Sequence, residues 1–279
     1  MDWLQAIALG LAQGLTEFIP VSSTAHLRIV PALLGWNDPG TAFSAVIQLG
    51  TLLAVFIYFA GDIRRLATAA ILSLFKPEAR RTPDALLAWR IAAGNVPIIV
   101  LGLGFRDFIE NQARSLYVIG VMLILLALGL AAAELMMARR GKAPRRNMES
   151  LGLGAVLVVG LWQALALIPG TSRSGATLLG GLLAGISREE AARFSFLLGI
   201  PAIFGSGLFQ IPPLLEGISQ GRMDGSAVVL GLAAAALSGY ASIAFLLRYL
   251  KTHTTLLFVF YRIVLGGVVL ALALGGAIR

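Results

Sequence analysis

Residues 115–133 read SLYVIGVMLILLALGLAAA and contain no charged side chain. A helix of this length spans about 30 Å, which matches the hydrocarbon core of a bilayer. Four more uncharged runs of comparable length occur, at residues 42–60, 150–172, 194–215 and 225–247. The sequence therefore predicts an all-α polytopic membrane protein.

The composition of the whole chain agrees with a lipid environment. Of its 279 residues, 58% are hydrophobic and 13% are charged, and the mean hydropathy is +0.86. Soluble domains carry about 25% charged residues, so an ordinary water-soluble domain is excluded. The chain contains no cysteine, which excludes disulfides and thiolate metal sites.

The net charge of +8 is interpreted as a topology signal, because Lys and Arg gather in cytoplasmic loops of membrane proteins. Five basic residues lie within residues 62–88 and five more within 138–150. Both segments are therefore predicted to be cytoplasmic, and the turn at 106–114 is predicted to be external. The resulting six transmembrane helices are predicted at residues 42–60, 89–105, 115–137, 194–215, 226–247 and 255–277.

Two apolar stretches fit no simple span because polar residues and prolines interrupt them. Residues 3–34 are interrupted at Glu17 and Pro20, and residues 151–186 are interrupted by the run 169–175. Non-helical backbone at membrane depth is tolerated where protein or a water-filled cavity surrounds it. Each stretch is therefore predicted to form a re-entrant helix hairpin, and the two hairpins are predicted to line a shared site.

The two halves of the chain resemble each other weakly. Gln13 and the run 20–23 have counterparts in Gln163 and the run 169–172. One hairpin plus three spans is an odd number of crossings, so the second copy is predicted to enter from the opposite face, as an inverted-topology repeat. The predicted organisation is a single integral membrane domain over 1–279, with a first repeat at 1–137, a basic cytoplasmic loop at 138–150 and a second repeat at 151–279.

The first hairpin concentrates an acid, hydroxyl groups and an imidazole around its break. Gln13 and Glu17 lie four residues apart and share one helix face. His26 and three hydroxyl residues follow the break, where the free N–H groups of a helix start favour an anion. These hydroxyl residues are Ser22, Ser23 and Thr24.

The second hairpin supplies groups that suit an anionic ligand. Arg173 presents a fork of donors that fits phosphate, and Gly170 and Gly175 allow close approach of backbone to a ligand. Further hydroxyl groups come from Thr171, Ser172, Ser174 and Thr177. The run has no Gly-Lys-Ser/Thr motif, which disfavours nucleotide hydrolysis.

Arg262 is another ionisable residue within an apolar segment. Such residues are costly in a membrane and mark candidate functional positions. Two interpretations stay open: Arg262 reaches the membrane interface, or it pairs with Glu17.

The two hairpin sequences, QGLTEFIPVSSTAHL at 13–27 and PGTSRSGAT at 169–177, resemble the signature motifs of the undecaprenyl-diphosphate phosphatase family, also called bacitracin-resistance proteins. The resemblance covers essentially the whole chain. It implies an enzyme that removes the terminal phosphate of the C55 isoprenyl diphosphate released by cell-wall polymerisation, which regenerates the monophosphate carrier. It further implies inverted repeats in the inner (plasma) membrane, a site open to the outer face and a divalent-cation requirement.

The resemblance also implies roles for individual residues. The acid pair of the family falls on Gln13 and Glu17, which would hold Mg²⁺ or Ca²⁺. The hydroxyl falls on Ser23, the imidazole on His26 and the phosphate-binding arginine on Arg173. Gln13 stands where many relatives have a second glutamate. The nucleophile is either Ser23, which we favour, with His26 or Glu17 as its base, or His26 itself.

Other classes of function remain open at this point. A transporter or flippase of an isoprenyl phosphate lipid would use the same inverted-repeat architecture. A non-catalytic membrane scaffold is disfavoured because it would not require Glu17, His26 and Arg173 inside the membrane. The expected partners are a polyprenyl diphosphate and the bilayer, with no nucleic acid, and a homodimer is one option for the oligomeric state.

Overall fold

The computed structural model describes residues 1–105, 115–139, 147–221 and 223–278, and all regular structure in these ranges is helical. The α-helices are α1 (Trp3–Glu17), α2 (Ser23–Leu34), α3 (Gly40–Tyr58), α4 (Ala60–Phe75), α5 (Pro83–Gly94), α6 (Val96–Gly104), α7 (Leu116–Arg139), α8 (Leu153–Ala164), α9 (Arg173–Leu183), α10 (Arg188–Phe209), α11 (Ile211–Ser219), α12 (Gly225–Leu250) and α13 (Leu256–Leu274). Short 3₁₀ helices lie at Pro77–Arg81, Met148–Ser150 and Leu165–Leu167. The predicted turn at 106–114 and residues 140–146 of the predicted basic loop lie outside the described residues.

Within these described ranges, six segments are long and apolar enough to cross a membrane, and each overlaps one predicted span. They are Gly40–Tyr58, Pro83–Gly104, Leu116–Arg139, Arg188–Ser219, Gly225–Leu250 and Leu256–Leu274. Large apolar side chains are exposed along all of them, as in Phe56, Leu125 and Leu237. An exterior of this kind suits contact with lipid rather than water, so the chain is a multi-pass membrane protein.

The second of these segments starts earlier than predicted and is composite. It begins at Pro83 rather than at residue 89, and it is interrupted between α5 and α6. Asn95 lies at the interruption, where its Nδ2 donates to the carbonyl oxygens of Ile91 at 2.8 Å and Leu198 at 3.0 Å. Its Oδ1 accepts from Gln163 Nε2 at 3.1 Å. The buried amide thus satisfies the Ile91 carbonyl at the break and joins the break to α10 and α8.

The prediction of a loop over 62–88 was wrong for its first half, because α4 occupies residues 60–75. Charge counting read Arg64 and Arg65 as loop residues, although basic side chains are equally compatible with one face of a helix. Leu66 and Ser73, two helical turns apart, form the buried side of α4. Trp89 of α5 donates its indole N–H to Ser73 Oγ at 2.9 Å and joins the two helices.

The two interrupted stretches both form helix, break, helix. We refer to α1 with α2 as the first helix pair and to α8 with α9 as the second helix pair. Their helices contain 15, 12, 12 and 11 residues, so each is shorter than the six long segments. A Cβ atom added at Gly14 would collide with Ser238 of α12, which shows how closely α1 and α12 pack. The two breaks, at residues 18–22 and 168–172, lie inside the helical assembly, since Phe18, Ser22, Thr171 and Ser172 are all buried.

Candidate active site

The two breaks end in the same backbone conformation. Ser22 precedes α2 with φ of +76°, and Ser172 precedes α9 with φ of +71°. Both are the only non-glycine residues with positive φ among the described residues. Such conformations are costly and cluster at functional sites. Each serine also caps its helix, since Ser172 Oγ accepts from the N–H of Gly175 at 3.1 Å, and Ser22 Oγ accepts from that of Ala25 at 3.4 Å.

The carboxylate of Glu17 is the point where the two helix pairs meet. Its Oε2 accepts hydrogen bonds from Gln13 Nε2 at 2.8 Å and from Ser23 Oγ at 2.6 Å. Its Oε1 accepts from Arg173 Nη2 at 3.2 Å. Ser23 and Arg173 are the first residues of α2 and α9, so the equivalent position of each pair faces the same carboxylate.

Arg173 is held in place on both sides of its guanidinium. Nη1 donates to the carbonyl oxygen of Ser195 at 3.1 Å, while Nη2 pairs with Glu17. A Cβ atom added at Gly199 would overlap the guanidinium, so the close passage of Arg173 across α10 requires glycine there. The side chains of Arg173 and Glu17 are 10% and 5% exposed, which makes this a largely desolvated ion pair.

His26 makes contacts with backbone and with a residue that sequence reasoning did not assign to the site. Its Nδ1 lies 2.7 Å from the carbonyl oxygen of Ser22, and its Nε2 lies 2.7 Å from the hydroxyl of Tyr261. Because a carbonyl only accepts, Nδ1 carries a proton, and in the neutral ring Nε2 accepts from Tyr261. The hydroxyl of Ser23 is hydrogen-bonded to Glu17 instead. Tyr261 directly precedes Arg262 in the sequence, and this adjacency is the one sequence feature that could have identified Tyr261 as a site residue.

Arg262 follows neither interpretation that the sequence left open. It is fully buried and donates to carbonyl oxygens on three segments of the chain. Nη1 donates to Pro20 in the first break at 3.1 Å, and Nη2 donates to Gly170 at 3.0 Å and Thr171 at 3.1 Å in the second. Nε and Nη2 also donate to the carbonyls of residues 123 and 122 in α7. One guanidinium thus connects both breaks to α7.

The remaining predicted residues surround this centre with varied contacts. Thr24 shares a hydrogen bond with Ser22 at 3.2 Å, and Ser174 shares one with Ser172 at 3.2 Å. Thr177 donates to the carbonyl of Arg173 at 2.8 Å and is buried. Thr171 Oγ1 is buried and has no hydrogen-bond partner in the described part of the chain.

Gly170 and Gly175 both lie against α7. A Cβ atom at Gly170 would contact the backbone of Ile119, and one at Gly175 would lie 2.8 Å from Leu126 Cδ2. Gly170 also has φ of +92°. The close approach that these glycines allow in the structure is therefore to a neighbouring helix, and their contact with a ligand stays a prediction.

The side-chain oxygen atoms of Glu17 and Gln13 suit a hard divalent cation whose other ligands come from the substrate and water. Gln13 Oε1 is buried next to the carboxylate and has no hydrogen-bond partner among the residues that the structure describes. Within the described residues, no cluster of three or more His, Asp or Glu side chains forms a self-contained metal site. Mg²⁺ commonly takes one or two carboxylates and completes its coordination with phosphate oxygens and water. The pair Glu17 and Gln13 is suited to that arrangement.

Comparison with known proteins covers nearly the whole chain. The family model described as bacitracin resistance protein BacA matches residues 6–268. An undecaprenyl-diphosphatase of Chlorobium chlorochromatii is 48% identical over 281 residues, covering 100% of both chains. One from Chlorobium phaeovibrioides is 50% identical with 98% of each chain covered, and one from Chloroherpeton thalassium is 49% identical with 98% of this chain and 97% of its own covered. The chain therefore belongs to the bacitracin resistance protein BacA family.

Proposed function

We propose that this protein is a membrane phosphatase that hydrolyses undecaprenyl diphosphate to the monophosphate and inorganic phosphate. The relatives named undecaprenyl-diphosphatase support this activity. The observation that carries it in this chain is the convergence of a hydroxyl, a carboxylate and a guanidinium from both helix pairs on one buried point. The product would return as lipid carrier to cell-wall synthesis.

The chemical step starts at Ser23, whose hydroxyl donates to Glu17 Oε2. Glu17 accepts that proton while Ser23 Oγ attacks the terminal phosphorus. A bond forms between Oγ and phosphorus, and the bond from phosphorus to the bridging oxygen breaks. Glu17 gives this proton to the bridging oxygen of the departing undecaprenyl monophosphate. In the second step, water attacks the phosphoserine, and Glu17 takes a proton from that water and returns it to Ser23 Oγ as inorganic phosphate leaves.

Arg173 and the helix starts supply positive charge to the diphosphate. The fork of Arg173 suits two phosphate oxygens, and its bond to the Ser195 carbonyl holds its orientation. The N–H groups at the starts of α2 and α9 add partial positive charge. Preorganised donors of this kind stabilise the charge that develops on the leaving oxygen.

Attack by His26 remains the alternative first step. Both of its ring nitrogens are engaged, so attack through Nε2 would first break the hydrogen bond to Tyr261. Trapped phosphoenzyme distinguishes the two routes. We expect the label on Ser23, and label on His26 that persists in Ser23→Ala would overturn this assignment.

Glu17 and Gln13 would hold Mg²⁺ or Ca²⁺, which when bound neutralises phosphate charge and polarises the phosphorus–oxygen bond. We expect a chelator to lower phosphate release at least about a hundredfold, and either cation to restore it. Gln13→Ala should raise the half-maximal cation concentration about tenfold. Gln163→Ala is the matched control, because Gln163 is a buried glutamine bonded to Asn95 rather than to Glu17. An equal shift in both variants would argue against Gln13 as a ligand.

The helix pairs are proposed to be re-entrant hairpins of an inverted repeat, with 1–137 and 151–279 as its halves and the active site at the outer face of the inner membrane. The equivalent positive-φ serines at positions 22 and 172 support the repeat. Because the chain lacks cysteine, single reporters test the topology. We expect an impermeant maleimide to label Asn37→Cys in intact cells and Glu78→Cys only after permeabilisation. The reverse pattern would overturn the orientation.

The decisive test of the function is phosphate release by purified protein in detergent. Undecaprenyl diphosphate should yield equal amounts of inorganic phosphate and undecaprenyl monophosphate, with no loss of the isoprenyl chain. Failure of the wild-type protein to release phosphate with cation present would overturn the proposal. No observation favours the transporter alternative. Transport would be supported only if Ser23→Ala protein moved lipid across the membrane of proteoliposomes.

A further inference from the structure

We propose that an apolar groove beside the second break holds the part of the isoprenyl chain nearest the diphosphate. This inference rests on the proposed function, because it assigns a subsite to that substrate. The groove has a volume of about 570 Å³ and lies between α6 and α8. Its walls include Leu101, Phe105, Leu161, Trp162, Leu165 and Ile168.

The groove is connected to the second break through one of its walls. Ile168 is a lining residue and also the first residue of that break, and its carbonyl oxygen accepts the N–H of Thr171 at 3.2 Å. Thr171 is in turn held by Arg262, and Arg173 begins α9 two residues later. Arg173 is five positions after Ile168, which limits the distance between their Cα atoms to roughly 17 Å even for extended chain. A diphosphate bound at Arg173 would therefore have the first isoprene units of its chain within reach of the groove.

The chemistry of the walls matches a branched hydrocarbon. Among the described residues that line the groove, none carries a formal charge, and the indole of Trp162 is the one polar side chain. Two of its lining residues, Leu161 of α8 and Leu165 of the 3₁₀ helix that follows, are exposed on the outside of the protein. A substrate embedded in lipid can thus enter sideways without passing its chain through water.

Proximity favours the substrate chain over an ordinary acyl chain as occupant. Moving hydrocarbon from lipid to protein brings no hydrophobic gain, so contact and position decide what fills the groove. The isoprenyl chain is covalently attached to the bound diphosphate, which gives it a high effective concentration at the groove. Bulk lipid has no such attachment. The groove would then fix the position of the diphosphate relative to Arg173 and contribute to recognition of the isoprenyl chain.

Photolabelling of the full-length protein in detergent tests the assignment. The probe is an isoprenyl diphosphate with a diazirine in its second isoprene unit. We expect label on residues 101–105 or 158–168, with competition by undecaprenyl diphosphate and none by phosphatidylglycerol. Label outside these segments, or equal competition by the phospholipid, would overturn the proposal.

A glycine pair in α6 provides matched variants for the same test. A Cβ atom at Gly102 would lie 3.5 Å from Leu167 Cδ2 in the groove wall, whereas one at Gly104 would meet no atom of the described residues within 4 Å. We expect Gly102→Leu to lower groove labelling and to lower kcat/KM for undecaprenyl diphosphate about tenfold, and Gly104→Leu to leave both unchanged. Equal behaviour of the two variants would contradict the groove. If the wild type releases phosphate but the label lies outside residues 101–105 and 158–168, only this inference is overturned. If the wild type releases no phosphate, the proposed function is overturned.

Discussion

Glu17→Gln is expected to lower phosphate release at least about a thousandfold, because it removes the proposed base for Ser23 and the proposed metal carboxylate together. The amide is nearly isosteric and can still accept from Ser23, but it has no negative charge to take the proton or to balance Arg173. The loss should appear in kcat and, because Glu17 is also a proposed cation ligand, in the half-maximal cation concentration. Single-turnover phosphate release by purified variant and wild type measures it.

Glu134→Gln separates lost chemistry from lost structure in this experiment. Glu134 is also buried, and it binds Arg188 and both the N–H and the hydroxyl of Thr255. It lies near the end of α7, away from the two breaks. We expect Glu134→Gln to lower the Tm while the folded fraction keeps its kcat. If Glu17→Gln kept more than about a tenth of the wild-type kcat, general-base catalysis by Glu17 would be untenable.

Sequence reasoning identified Glu17, Ser23 and Arg173 because each is a chemically distinctive side chain beside an interruption in an apolar stretch. The contacts among these three residues could be predicted from the single assumption that the two breaks meet. The direct hydrogen bond of Ser23 to Glu17, with His26 turned toward Tyr261, could not be read from spacing. Side-chain direction after a break depends on backbone torsions, and the positive φ of Ser22 is a tertiary property.

Other features were hidden for different physical reasons. The helix α4 was obscured because charge counting records where basic residues are but not whether their backbone is helical. Arg262 was identified as unusual, yet its partners are carbonyl groups, and every residue has a carbonyl. No side-chain pattern can therefore reveal them. The predicted helix bounds succeeded where apolar length alone decides the outcome, as in α7.

Arg262→Met is expected to lower phosphate release at least about a hundredfold although Arg262 does not touch Ser23 or Glu17 in the structure. The substitution removes the Arg262 donor from five carbonyl groups: two lie in the continuous helix α7, and the other three lie in the two breaks, where no helical N–H replaces it. Each buried acceptor left unsatisfied costs about 1–3 kcal/mol, so the breaks should shift or admit water. Displacement of reacting groups by about 1 Å is enough for a hundredfold loss in rate.

Hydrogen exchange distinguishes this positioning role from a general loss of stability. In Arg262→Met, we expect faster exchange at residues 18–22 and 168–172, with the long helices still protected. Arg262→Lys should be only a partial rescue, because one ammonium keeps the charge but lacks the planar fork that spans both breaks. Arg248→Met, at an exposed arginine of α12, controls for the loss of a cation. Wild-type turnover in Arg262→Met, or uniform deprotection of all helices, would rule out the connection of the two breaks as the function of Arg262.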